Sequence, residues 1–124
     1  MRGIELIEEE RKRQIEKEGF DSKHDFEHRN DDLALAGAVY ALPEYIRLFY
    51  KYEEENGQKE YCPLWWPFEA KSFKPTPNDR KRELVKAGAL IAAEIDRIIE
   101  QENFESWEKE KEGVNNITTE VKNK

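Results

Sequence analysis

The chain has one cysteine, Cys62, and one methionine among 124 residues. A lone thiol forms neither an intramolecular disulfide nor a thiolate zinc cage, so a reducing cytoplasm is the expected setting. No apolar run approaches the ~20 residues of a membrane-spanning helix. The opening MRGIELIEEERKR scatters its apolar residues among charges, where a signal peptide would gather them. Neither a leader nor a membrane partner is therefore expected. Basic charge is also short, with 21 Lys and Arg against 28 Asp and Glu and a net charge of −7. That balance opposes binding of long nucleic acid, which depends on neutralising phosphates. A P-loop, a dinucleotide glycine motif and HExxH are all lacking.

What the chain does have is helical patterning. Residues 3–18 read as a helix ended by Gly19, with Arg11, Gln14 and Glu18 in the same arc as Ile4, Ile7 and Ile15. This helix is expected to turn polar groups inward. The segment FDSKHDFEHRN holds both histidines and has no sustained period, so it reads as a loop. Asn30, Asp31 or Asp32 then caps a second helix to about Leu42, with Leu33, Ala36, Gly37 and Tyr40 on a narrow face of small residues. After Pro43, PEYIRLFYKYEEE is read as a short third helix ending near Asn56-Gly57. Prolines 63, 67, 75 and 77 make the following YCPLWWPFEAKSFKPTP an aromatic loop. Trp65, Trp66, Phe68 and Phe73 are placed to cover the open side of a bundle.

The last strong helix is predicted from about Asn78 to Gln101, with Leu84, Ala87, Gly88, Ile91, Ile95 and Ile98 as its apolar face. Glu94 falls inside the apolar arc between the lines of Ala87 and Leu90, and Glu83 lies on nearly the same stripe almost three turns earlier. A carboxylate facing a core requires a cation, a donor or a proton. The expected fold class is all-α, a small bundle of three to four helices with the aromatic and proline-rich loop packed on it. Residues 1–102 form the single domain, and 103–124 are a charged, partly disordered extension.

Two chemistries compete for the inward acids. In one, Glu18, Asp25 and Glu94 hold Mg²⁺ or Mn²⁺, hard cations suited to carboxylate oxygen, while Glu18, His24 and Asp25 form the catalytic group. His24 is the proton-transfer residue, its pKa raised by the neighbouring Asp25. In the other, the acids pair with Arg11, Lys86 and Arg97. The basic residues gathered from Lys71 to Lys86 suit a small anionic ligand such as a nucleotide. Arg11, Gln14, Trp66 and Lys86 are its expected contacts, with Trp66 stacking on a planar ring.

The segments ERKRQIEKEGF, KHD, LALAGAVYAL, WPF and DRKRELVKAGALIAAEIDR resemble a widespread group of small phage and prophage proteins. The likeness covers about residues 4 to 99 and takes in Glu10, Arg11, Arg13, Gln14, Glu18, His24, Asp25, Tyr40, Trp66, Lys86 and Glu94. Phe26 stands where that pattern has a second acid, and Phe68 replaces the second tryptophan of its WPW element. A more remote analogy is to the MazG-type all-α NTP pyrophosphatases, although their EExxE and ExxD carboxylate motifs are not met here. The resemblance implies a phage protein acting in the host cytoplasm and supplies no reaction. The expected function is nucleotide handling, either metal-dependent pyrophosphohydrolysis or sequestration without turnover. The alternative is a host-modulating interaction module that uses the aromatic loop. A homo-oligomer is compatible with either.

Overall fold

The computed structural model describes residues 1–18 and 31–120, the side chains of Glu18 and of residues 113–120 excepted. Its elements are α1 (Gly3–Glu18), α2 (Asp32–Ala41), β1 (Phe49–Glu53), β2 (Lys59–Pro63), a 3₁₀ turn (Ala70–Ser72) and α3 (Arg80–Glu120). The fold is α+β, which corrects the all-α expectation. The segment read as a third helix is instead the first strand of an antiparallel hairpin. Phe49 pairs with Pro63, Tyr50 with Cys62 and Glu53 with Lys59. The reason is local: FYKY and KEYC are rich in residues that favour a pleated surface, and Asn56-Gly57 sits between them as a turn. Gly57 adopts φ 85°, and Glu54 and Gln58 close the loop with a 2.8 Å backbone hydrogen bond. The same dipeptide that would stop a helix reverses a strand.

The helices start and stop for identifiable reasons. Asp31 precedes α2 in a left-handed conformation and makes no side-chain cap. Asp79 caps α3, its carboxylate accepting from Arg82 N at 3.0 Å. The helix continues past Gln101 to Glu120. At the other end of α2, Arg47 and Arg80 serve as a C-terminal cap. Arg47 donates to the carbonyls of Val39, Tyr40 and Leu42, and Arg80 to those of Tyr40, Ala41 and Leu42. Guanidinium groups there meet both the orphan carbonyls and the negative end of the helix dipole.

The core lies between α2 and α3. Leu33, Ala36, Val39 and Tyr40 meet Ala87, Leu90 and Ala93, and Cys62 and Trp66 close one end. On α1 the buried residues are Glu10, Arg11 and Gln14, so that helix does turn polar groups inward. The inward face of α3 differs from the sequence expectation. Ala87, Leu90, Ala93, Glu94 and Arg97 are buried, whereas Leu84, Ile91, Ile95 and Ile98 are exposed. Small residues decide this because they allow close backbone approach. A Cβ added to Gly37 would lie 3.1 Å from the Ala87 carbonyl oxygen and 3.0 Å from Ile91 Cγ1. Gly37→Val is accordingly expected to cost about 2–3 kcal/mol by overpacking, read as a lower urea midpoint.

Trp66, Phe68 and Phe73 pack over the α2 side, with Trp66 set edge-on to Tyr40 at 5.4 Å and to Phe73 at 5.2 Å. Trp65 takes φ 72° and points outward. Among the described residues no helix is long and apolar enough to cross a membrane.

Candidate functional site

A cleft of about 1170 Å³ opens between α1, the aromatic loop and the first half of α3. Glu10, Arg13, Gln14 and Lys17 project into it from α1, a spacing of three, four and seven residues that keeps them on one helix face. From α3 come Arg82, Lys86 and Leu90, each one turn from the next. Tyr40, Trp66 and Phe68 form an aromatic wall, and Glu69, Ser72, Lys74 and Thr76 complete the rim.

Glu10 organises the α1 side. It is 2% exposed and accepts from Arg13 through both oxygens at 2.8 Å and from Arg82 at 2.6 Å. Burial pushes its carboxyl up, but the Arg13 and Arg82 hydrogen bonds outweigh that and hold it below its ordinary 4.5. One carboxylate thus fixes two guanidinium groups at the mouth of the cleft. Gln14 donates to Glu10 at 3.4 Å, and its own Oε1, buried, has no hydrogen-bond partner among the described residues. Flipping the amide would set two oxygens against each other, so the acceptor is the atom left open.

Lys86 lies across the cleft. Its Nζ donates to the Lys74 carbonyl at 2.7 Å and sits 5.6 Å from the centre of the Tyr40 ring. Burial lowers its pKa, and the neighbouring Arg82 lowers it further. The lining carries five cations against two carboxylates in a chain of net charge −7. An anion entering here would relieve that imbalance, and the aromatic wall offers an apolar surface beside it.

Of the expected ligand contacts, Gln14, Trp66 and Lys86 converge on the cleft. Arg11 does not line it; its Nε donates to Asp96 at 3.3 Å. Trp66 contributes wall, since its indole N–H already donates to Glu69 O and Ser72 Oγ. Glu94 also lies outside the cleft, buried and paired with Arg97, with its Oε2 unpartnered among the described residues. His24, Asp25 and the Glu18 side chain lie outside the described residues. Glu83, the other inward acid, is paired with Arg47 at 3.2 Å and accepts from Thr76 N at 3.2 Å. Among the described residues no group of three or more His, Cys, Asp or Glu is placed to hold a metal ion.

Arg13 and Lys17 were not among the expected contacts, although their spacing from Glu10 and Gln14 marks the shared face. Arg82 and Lys74 belong to the basic cluster already evident in the sequence. Comparison of the chain with protein-family models, with curated proteins and with solved structures gives no match.

Proposed function

We propose that the chain binds a small anionic ligand carrying a planar ring, a nucleotide, in the cleft between α1 and α3. The reading places a phage-type nucleotide-handling protein in the cytoplasm, and it rests chiefly on five cations facing one cleft of an acidic chain. Arg13, Arg82 and Lys86 are the phosphate contacts, with Lys17 and Lys74 at the rim. The ring lies toward Phe68 and Trp66, and the open Gln14 Oε1 accepts from a ligand hydroxyl or amine. Arginine held by a carboxylate offers its remaining N–H groups in a fixed direction, which favours phosphate over a diffuse counterion.

Sequestration is favoured over turnover by the described lining. It supplies cations, aromatic surface and the open Gln14 Oε1, while its buried carboxylate, Glu10, is already committed to two arginines. A metal-dependent pyrophosphohydrolase would draw on Glu18, His24, Asp25 and Glu94 with Mg²⁺ or Mn²⁺.

Thermal shift with nucleoside mono-, di- and triphosphates, each with and without Mg²⁺ or Mn²⁺, tests the binding reading. A nucleotide at about 100 times its Kd adds about 2.7 kcal/mol of stability. Absence of any shift would refute it, and pyrophosphate release would identify the enzyme. Lys86→Ala is expected to weaken binding by about ten- to a hundredfold, the loss of one charge-assisted contact. The wild-type affinity should also fall as pH rises through the lowered pKa of Lys86, because only the protonated amine attracts the anion. In Lys86→Ala that alkaline limb should disappear.

A further inference from the structure

We propose that two copies of this chain pair antiparallel through the outer face of α3. Leu84, Ile91, Ile95, Ile98 and Ile99 are all exposed there. At about 100° per residue they share one arc, on the side of the helix away from Leu90 and Ala93. The row spans about 22 Å at 1.5 Å per residue. It is flanked on one side by α1, where Ile7 approaches Gly88, and on the other by α2, where Gly37 approaches Ile91. The aromatic loop covers the opposite side of the helix layer, so this row is the surface a second layer would bury.

The length of α3 points the same way. Its 41 residues extend about 60 Å, whereas the 16 residues of α1 and 10 of α2 reach about 24 and 15 Å. Neither can cover it, and an unpacked helix is marginal in water.

Charge selects the occupant and its direction. The same arc carries Lys81 before the apolar row and Glu102 after it, with Glu105 at its edge and Lys109 farther out, beyond the reach of the partner's helix. A parallel pair would set each end against its own sign. An antiparallel pair about a two-fold axis between Ile91 and Ala92, the middle of the apolar row, sets the basic end of one copy against the acidic end of the other, twice. A second copy is therefore complementary to this surface in both shape and charge.

Sedimentation equilibrium on the full chain, up to about 100 µM so that any tighter pairing is populated, is the test. The expected mass is twice the 14.8 kDa of the chain. Ile95→Asp should weaken pairing by more than about tenfold, with an unchanged circular dichroism spectrum because Ile95 is exposed and lies outside the core cluster. Lys81→Glu should weaken it as well, and Lys81→Glu combined with Glu102→Lys and Glu105→Lys should restore it. A monomeric wild type, a dimer indifferent to Ile95→Asp, or charge reversal without effect would each overturn the proposal.

Discussion

Replacing Arg47 with alanine is expected to destabilise the fold by about 3–5 kcal/mol, the usual cost of leaving a buried charge without its partner. Urea denaturation at neutral pH measures it. Both members of the Arg47–Glu83 pair are almost completely buried, at 2% and 6% side-chain exposure. Removing the guanidinium orphans Glu83, to which Arg80 at 3.6 Å remains the nearest cation. The same substitution strips donors from three carbonyls at the end of α2 and removes the cation lying 5.3 Å from the centre of the Phe73 ring.

Those roles separate in two further variants. Arg47→Lys retains the charge but cannot reach several carbonyls with one ammonium, so most of the loss should persist. Arg47→Ala with Glu83→Gln removes the orphaned charge and should recover part of the stability, leaving as the remainder the uncapped Val39 carbonyl and the thinned cap on Tyr40 and Leu42, which keep Arg80. Full recovery in the double variant would show that the cap contributes nothing. Against a total stability of about 5–15 kcal/mol for a domain of this size, the single change moves the unfolding midpoint far.

This pair also shows where sequence reading succeeds and where it stops. Glu83 and Glu94 are legible as inward acids because helical periodicity sets them beside Ala87 and Leu90, the edge of the apolar arc that is buried. Their partners are not equally legible. Arg97 stands one turn beyond Glu94 and could be named, whereas Arg47 lies 36 residues from Glu83 in a segment whose helical reading hid it. The hairpin was missed because its apolar residues alternate over only a few positions and half of them face solvent. The α3 face was misassigned for a related reason. Isoleucine is the more hydrophobic residue, but alanine and glycine let α2 approach, and the rotation that buries them leaves the isoleucines outside. In the cleft, Gln14, Trp66 and Lys86 come together from three separate elements, while Arg11, on the same helix as Gln14, points to Asp96 instead. Helix period resolves neighbours on one element; crossing geometry between elements has no comparable local signal.

Trp66→Ala is expected to cost about 3–5 kcal/mol, the range for deleting a large buried aromatic side chain. Trp66 is 8% exposed and touches Tyr40, Phe68 and Phe73, so its removal opens the centre of the aromatic loop. The loss should extend to the cleft. Tyr40 holds Lys74 N through its hydroxyl at 2.9 Å, and the Lys74 carbonyl in turn accepts from Lys86, so the wall and one of the proposed phosphate contacts share a support. Trp66→Phe keeps a ring in the cluster but gives up the N–H donation to Glu69 O and Ser72 Oγ. Each lost hydrogen bond is worth about 0.5–1.5 kcal/mol, so this variant should remain folded. If Trp66 acts as wall, Trp66→Phe should bind nucleotide within a few fold of wild type while Trp66→Ala loses both stability and binding. A large affinity loss in Trp66→Phe with the fold intact would instead mean that the indole contacts the ligand directly, as a stacking ring does.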